Sequence, residues 1–306
     1  MRPLRGILLK ICSVLVFIVM ASLIKVSADT VPPGEAVFFR SLFAMPVILT
    51  WLAWRHELRR GLQTAQPMGH VWRGLVGTMA MGLGFAGLGL LPLPEVTAIG
   101  YAAPLLVVIF AAMFLGEDVR LFRLSAVIVG LVGVLIVLSP RLSLGAAELS
   151  HAQTLGAVLV LGGAVFAALA QIFVRKLVAS ESTSAIVFYF SLTATLLSLV
   201  TLPFGWVWPS WPVLGALVLA GLLGGVGQVL LTSSYRDADA SVIAPFEYVS
   251  ILFALAIGYW VFDEVPTLTM LLGAAIVVAA GIMIIWRERQ LGIERARQRK
   301  VMTPQG

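Results

Sequence analysis

Long apolar runs separated by short polar segments dominate this sequence. Each run holds about 18–23 residues, which at about 1.5 Å per residue spans a hydrocarbon core of about 30 Å. The runs are continuous rather than alternating, which argues against a β-barrel and predicts helices. The ten predicted spans are residues 7–26, 36–54, 71–91, 96–115, 122–139, 154–174, 184–202, 211–232, 240–262 and 267–286. The pattern therefore predicts an all-α membrane protein with ten transmembrane helices.

Basic residues fall almost entirely on one side of this predicted topology. All but three of the 21 Lys and Arg residues lie in the N-terminal segment, in alternate loops or in the C-terminal tail. The three exceptions are Lys25, Arg40 and Arg141. Because short cytoplasmic loops carry the excess of positive charge, both termini are expected in the cytoplasm of a multi-pass inner-membrane protein.

Composition excludes several other classes. The chain of 306 residues is 60% hydrophobic and only 12% charged, about half the charged fraction of a soluble domain. Its net charge of +6 is explained by orientation, so nucleic-acid binding is not expected. The single cysteine, Cys12, permits no internal disulfide. The first apolar run ends in Lys25 without a small-residue cleavage site, so it is interpreted as a retained helix rather than a signal peptide.

The two halves of the chain resemble each other. Residues 37–42 (VFFRSL) match residues 187–192 (VFYFSL) at an offset of 150, and Tyr101 matches Tyr248 at an offset of 147. Five spans per half is an odd number, so the halves are expected to be inverted relative to each other, as in secondary transporters. The predicted division is a first repeat at 1–140, a second at 152–290, and a basic cytoplasmic tail at 291–306 that contacts anionic lipid.

Short motifs in both halves also carry a family resemblance. They are Glu35-Ala-Val-Phe-Phe-Arg40, Trp72-Arg-Gly74, Leu115-Gly-Glu117, Ala244-Pro-Phe-Glu-Tyr248 and Phe262-Asp-Glu264. With these motifs the chain resembles ten-helix carriers of the drug/metabolite transporter superfamily, built from two EamA domains, and the resemblance extends to about residue 290. It implies an inverted-repeat carrier. Members similar in the Pro-Phe-Glu-Tyr region include carriers of riboflavin and of S-adenosylmethionine, whereas other members export amino acids.

Two charged residues, Arg40 and Glu247, lie about six or seven residues inside predicted spans and are candidate substrate ligands. Arg40 is about 9 Å below the outer face and Glu247 about 10 Å from the cytoplasmic face. A charge near mid-bilayer costs about 3 kcal/mol on insertion scales, so both residues are functional candidates. The alternative for Arg40 is a structural anchor paired with Glu35 or Asp29. For Glu247 the alternative is a buried carboxyl group bonded to a neighbouring helix.

Aromatic and helix-breaking residues extend this candidate site. Tyr101 and Tyr248 offer flat faces and hydroxyl groups for a heteroaromatic substrate, although core packing is an equal alternative. Pro46, Pro104 and Pro245 each remove a backbone hydrogen bond, and such helix breaks in a membrane face protein or a water-filled cavity. Simple kinks without function remain the alternative.

Other polar and small residues have simpler interpretations. Gln171 and Gln228 lie in the sixth and eighth spans, where they either bind substrate or link helices. Lys25 is expected to snorkel to the outer face, and the acidic turns 116–118 and 263–264 are expected in water. The glycine-rich third and eighth spans favour close helix packing within one chain over a dimer, so a monomer or weak homodimer is expected.

These features favour a secondary transporter for a small organic metabolite. No phosphate-binding Gly-rich loop with lysine occurs, so ATP is not its direct energy source; proton coupling through Glu247 is a hypothesis. Riboflavin uptake is the first expected substrate, with S-adenosylmethionine uptake and export of amino acids or related metabolites as alternatives. An intramembrane enzyme is disfavoured because the three histidines lie apart, at His56, His70 and His151. No catalytic group, metal site or cofactor is predicted, and neither a receptor nor a channel is favoured.

Overall fold

The computed structural model of the chain describes residues 3–115, 121–142, 151–178, 180–237 and 244–302, and within these ranges it contains helices and no strand. The α-helices are α1 Pro3–Ser27, α2 Pro33–Trp54, α3 Leu58–Gly61, α4 Pro67–Leu88, α5 Leu93–Gly100, α6 Ala102–Leu115, α7 Leu121–Leu142, α8 His151–Val178, α9 Thr183–Ser198, α10 Trp211–Asp237, α11 Ser250–Phe262 and α12 Leu268–Met302. Two 3₁₀ helices span Leu199–Phe204 and Ala244–Val249. The predicted acidic turn 116–118 lies outside the described residues.

Seven helical stretches in the described residues are long and apolar enough to cross a membrane. They are Leu4–Ser27, Pro33–Trp54, Pro67–Leu88, Leu93–Phe114, His151–Val174, Thr183–Phe204 and Trp211–Leu231. Three shorter apolar helices, Leu124–Ser139, Phe246–Phe262 and Leu268–Ile284, occupy the positions of the predicted fifth, ninth and tenth spans. The all-helical membrane protein predicted from the sequence is therefore confirmed, whereas ten crossings and cytoplasmic termini remain predictions.

Helix boundaries follow local chemistry. Proline occupies the first turn of α2, α4 and α5, where its missing N–H costs nothing. Ser182 caps α9 by accepting a hydrogen bond from the Ala185 N–H. The fourth span is interrupted at Tyr101, which separates α5 from α6 three residues before Pro104. In the second half, the equivalent tyrosine, Tyr248, lies in the 3₁₀ helix before α11.

The two larger hydrophobic clusters of the described residues each contain helices from both halves of the chain. The first joins α5–α8 with α11 and α12, and it includes Tyr101 and Tyr248. The second joins α1, α2 and α4 with α9, α10 and α11, and it includes Phe190. The halves are therefore interleaved, so a relative movement of the two clusters must carry parts of both halves.

Glycines allow close crossings within the chain. A Cβ added at Gly221 or Gly225 of α10 would lie 3.0 Å from the backbone carbonyl oxygen of Phe39 or Ala44 in α2. The Gly-rich segment of α10 is therefore used for intramolecular packing, as the sequence predicted. A similar crossing joins α7 to α12, where a Cβ at Gly133 would lie 2.9 Å from the carbonyl oxygen of Gly273.

Substitution of Gly133 by alanine is expected to lower the thermal unfolding temperature, because the backbone of Gly273 cannot turn aside from the added methyl group. Overpacking of this kind typically costs about 1–3 kcal/mol. Gly82→Ala is the matched control, since a Cβ there meets nothing within 4 Å. Thermal unfolding in detergent, followed by tryptophan fluorescence, measures both variants. Equal unfolding temperatures would contradict the close crossing of α7 and α12.

Candidate functional site

A lysine near the start of α1 forms an ion pair with the second half of the chain. The Lys10 ammonium group donates a hydrogen bond to Glu247 Oε2, in the 3₁₀ helix before α11. The Lys10 side chain is only 3% exposed, whereas that of Glu247 is 49% exposed. Glu247 is thus neither fully buried nor bonded only within its own half. The pair ties α1 to the segment that contains Tyr248.

A second lysine on α1 forms an equivalent link at the opposite end of the helix. Lys25 Nζ lies 3.0 Å from Glu264 Oε1 and donates hydrogen bonds to the carbonyl oxygens of Leu88 and Leu91, at 3.2 and 2.6 Å. Glu264 Oε2 accepts a hydrogen bond of 2.8 Å from the Leu93 N–H. Two expectations are corrected here. Lys25 points inward rather than snorkelling to the outer face. Glu264 is not in water but partly buried, because its carboxylate pairs with Lys25 and accepts the hydrogen bond of the otherwise unpaired N–H at the start of α5.

The two repeat-related tyrosines contact each other between the halves. The Tyr101 and Tyr248 ring centroids are 5.0 Å apart with an interplanar angle of 69°. The Tyr101 hydroxyl group is hydrogen-bonded to Ser250 Oγ and donates to the Tyr248 carbonyl oxygen at 3.3 Å. Tyr248 packs against Gly281 of α12. The edge-to-face pair therefore joins the interruption of the fourth span to the 3₁₀ helix before α11.

The intramembrane Arg40 is 3% exposed and lies against Phe190 of α9, with its guanidinium carbon 5.8 Å from the ring centroid. A second arginine, Arg73 of α4, contacts the same ring at 4.0 Å. Within the described residues the Nε and Nη1 atoms of both arginines have no hydrogen-bond partner. Glu35, one of the two partners considered for Arg40 as a structural anchor, instead accepts a hydrogen bond from the Val207 N–H at 3.0 Å.

The other predicted site residues are more scattered. Gln228 lines a small crevice between α2, α9 and α10 together with Ile48 and Val187. Gln171 is exposed on α8. α2 runs through Pro46 without interruption, and Pro245 lies in the 3₁₀ helix that precedes α11. The structure does not bring these residues together with Arg40 and Glu247.

Comparison with known proteins identifies the family. The family described as "EamA-like transporter family" matches residues 4–139 and again residues 154–286. The chain belongs to the EamA-like transporter family. A further family, "Solute carrier family 35", matches residues 96–204. The resemblance read from the motifs is thus confirmed, and the protein is a multi-pass membrane transporter.

Curated relatives of this EamA-family transporter have transport functions. A pseudopaline exporter of Pseudomonas aeruginosa is 31% identical over 284 residues, covering 91% of this chain and 95% of the relative. An S-adenosylmethionine uptake transporter of Rickettsia bellii is 30% identical over 256 residues, covering 84% of each. One crystal structure, 20% identical, superposes with a TM-score of 0.66 over 94% of this chain and 98% of that one, which shows the same fold.

Sequence reasoning about this transporter missed Lys10 and Arg73 as candidate site residues. The sequence analysis counts both among the basic residues of the cytoplasmic side. Arg73 stands at the predicted start of the third span. α4 in fact begins at Pro67, which places Arg73 about 9 Å inside the helix. Lys10 lies inside the first apolar run, and a charged residue in that position is a sign of a candidate site residue.

A carboxylate outside the spans joins two loops of the transporter. Glu181 Oε1 accepts hydrogen bonds from the N–H groups of Ala65 and Gln66, each at 2.7 Å, and from the Thr64 hydroxyl at 3.0 Å. His70 Nε2 lies 3.4 Å from Glu181 Oε2. Desolvation raises the pKa of Glu181, but these hydrogen bonds outweigh it and hold the pKa below its ordinary value.

The lowered pKa of Glu181 predicts a loss of stability in acid. The contribution is present above the unfolded-state pKa of about 4.3 and is lost as pH falls through the lower folded-state pKa. The unfolding temperature of wild type should therefore fall more steeply below about pH 4.3 than that of Glu181→Gln. Thermal unfolding in detergent from neutral pH into this acid range measures both proteins. Parallel curves would show that Glu181 carries no such linkage.

Proposed function

We propose that this EamA-family protein is a secondary transporter of the inner membrane, with both termini in the cytoplasm, that moves a small organic metabolite by alternating access. The observation that carries the proposal is the direct contact between Tyr101, which separates α5 from α6, and its repeat-related Tyr248, in the 3₁₀ helix before α11. Inverted-repeat transporters place substrate sites where such discontinuous helices meet. Because repeat-related segments of the two halves meet at this contact, the same relative movement of the halves can open the protein toward either side of the membrane.

The ion pairs of α1 support the same mechanism. Lys10–Glu247 and Lys25–Glu264 lie near opposite ends of one helix, and each pairs a lysine of the first half with a glutamate of the second. Lys25 is 15 residues after Lys10, which corresponds to about 22 Å of helix. Opening one end breaks one pair while the other can persist, which is the requirement for alternating access.

We propose S-adenosylmethionine, or a metabolite that shares its amino-acid end, as the substrate. The support is the similarity to the S-adenosylmethionine uptake transporter over 84% of both chains, together with the buried guanidinium groups of Arg40 and Arg73. S-adenosylmethionine carries a carboxylate, which arginine binds in planar, bidentate geometry. Riboflavin, the first substrate expected from sequence, is not named for the relatives described above. Tyr101 and Tyr248 pack edge to face against each other rather than leaving a slot for a planar ring.

Uptake of radiolabelled S-adenosylmethionine into proteoliposomes tests this function. Liposomes with the wild-type protein should accumulate label faster than protein-free liposomes, and unlabelled S-adenosylmethionine should compete. Unlabelled riboflavin should not compete. A rate equal to that of protein-free liposomes, with the protein shown to be inserted, would exclude S-adenosylmethionine as the substrate.

A further inference from the structure

Two arginines of the first half share one aromatic ring inside the membrane. Phe190 of α9 receives the guanidinium carbon of Arg73 at 4.0 Å from its centroid and that of Arg40 at 5.8 Å. The two positive groups are close enough to repel each other. An aromatic face attracts cations, but it supplies no hydrogen-bond acceptors for their N–H groups. The arrangement is therefore electrostatically incomplete.

Three acidic residues of the described spans are bonded to groups other than these arginines. Glu35 accepts from the Val207 N–H, Glu247 pairs with Lys10, and Glu264 pairs with Lys25. The Nε and Nη1 atoms of Arg40 and Arg73 are buried and, in the part of the chain that the structure describes, have no acceptor. Buried guanidinium groups without a counter-ion are costly, so an anion from outside the chain would be strongly favoured here.

Glycines make room for both guanidinium groups in a repeat-related manner. A Cβ at Gly224 of α10 would lie 2.9 Å from Arg40 Nε, and a Cβ at Gly77 of α4 would collide with Arg73 Nη1. Gly77 and Gly224 are separated by the same 147 residues as Tyr101 and Tyr248. The absence of a side chain at these two glycines thus leaves space beside both charged groups.

A small crevice lies near this position. The basic face is the end of the bundle at which α1 begins and α2 ends, and its exposed residues include Arg5, Arg55, Arg59, Arg60 and Lys176. The crevice lined by Gln228 lies between α2, α9 and α10. Gln228 follows Gly224 by one helical turn, and Val187, which also lines the crevice, precedes Phe190 by about one turn.

We propose that Arg40 and Arg73, both held against the ring of Phe190, bind the carboxylate group of the transported molecule. Arginine pairs bind carboxylates through parallel N–H donors, and two guanidinium groups provide more donors than one carboxylate requires. The assignment deepens the proposed transport function and rests on it for the identity of the molecule. The anion-binding property itself depends only on the contacts described above.

Competition between two nearly identical molecules tests the assignment. Decarboxylated S-adenosylmethionine retains the adenosine, sulfonium and amine groups and lacks only the carboxylate. Against uptake of labelled S-adenosylmethionine by wild type, it should need at least about tenfold higher concentration for half-inhibition than unlabelled S-adenosylmethionine does, as expected for lost charge-assisted hydrogen bonds. Arg73→Gln and Arg40→Gln should raise the half-saturating concentration by at least about tenfold and remove this discrimination. Arg59→Gln, at an exposed position, is the control and should change neither.

The outcomes separate the site from the function. If wild type carries S-adenosylmethionine but both molecules compete equally, the carboxylate site is wrong and the transport function stands. If wild type does not carry S-adenosylmethionine, sodium succinate decides about the site. At constant ionic strength, succinate should raise the unfolding temperature of wild type and Arg59→Gln saturably but not that of Arg40→Gln or Arg73→Gln. An equal rise in all four proteins, or none in wild type, would overturn the assignment.

Discussion

Replacing Glu247 with glutamine should reduce the initial rate of transport by at least about tenfold, because it removes a charged partner of the buried Lys10 ammonium group. Breaking a buried ion pair costs about 3–5 kcal/mol, and the half-exposed Glu247 side chain reduces this to about 2 kcal/mol. A bias of about 2 kcal/mol toward the state in which Lys10 reaches water changes the ratio of the two conformations about thirtyfold. A carrier held in one state completes few cycles.

A double-mutant cycle in proteoliposomes measures this effect. If Lys10 and Glu247 act as a pair, Lys10→Gln combined with Glu247→Gln should be no slower than Glu247→Gln alone. Glu57→Gln is the matched control, since Glu57 is exposed on the basic face. Independent, multiplicative losses would contradict the pair. The same variants test proton coupling, because concentrative uptake by Glu247→Gln with unchanged pH dependence would exclude Glu247 as the coupling group.

Replacing Glu264 with alanine should open the opposite end of the protein. Lys25 loses its 3.0 Å ion-pair contact and the Leu93 N–H loses its acceptor, so the closed arrangement of α1, α4 and α5 at this end is destabilised. Leu91, whose carbonyl oxygen accepts from Lys25, is 2% exposed. A cysteine at this position reports opening, and the background needs one substitution, Cys12→Ser, because Cys12 is the single cysteine.

Labelling of Leu91→Cys by a membrane-impermeant maleimide gives the readout. Glu264→Ala should raise the labelling rate at least about tenfold, as expected for a shift of about 1.4 kcal/mol or more in the conformational equilibrium. Glu247→Gln should lower it, since it favours opening at the basic face. Asp29→Asn is the control, because it removes one negative charge at the same end without breaking the Lys25–Glu264 pair. Changes of the same sign in Glu264→Ala and Glu247→Gln would be incompatible with alternating access.

Much of the fold could be predicted from hydropathy, because a bilayer demands apolar helices of fixed length. The equivalence of Tyr101 and Tyr248 was visible as a constant offset between halves. Pairing between charged residues was not visible. Lys10 and Glu247 are 237 residues apart, and nothing in the local pattern of either indicates the other.

The candidate site, too, could be predicted from the sequence only in part. Arg40 was identified because a charge well inside a span has a large solvation cost. The sequence places Arg73 at the very start of the third span, because that predicted span begins four residues later than α4 begins in the structure. Helix boundaries are set by caps and by tertiary packing, here by Pro67, rather than by hydropathy alone. An error of one helical turn was enough to hide half of the arginine pair.

Counterflow tests alternating access most directly. Proteoliposomes loaded with a high concentration of unlabelled S-adenosylmethionine are diluted into a trace of labelled substrate, and internal label is followed with time. An alternating-access carrier should accumulate label transiently above its external concentration, because outward-moving unlabelled molecules return the site to the outer face. A channel would let label rise only to the external concentration, and that result, with S-adenosylmethionine shown to enter, would contradict the mechanism proposed for this protein.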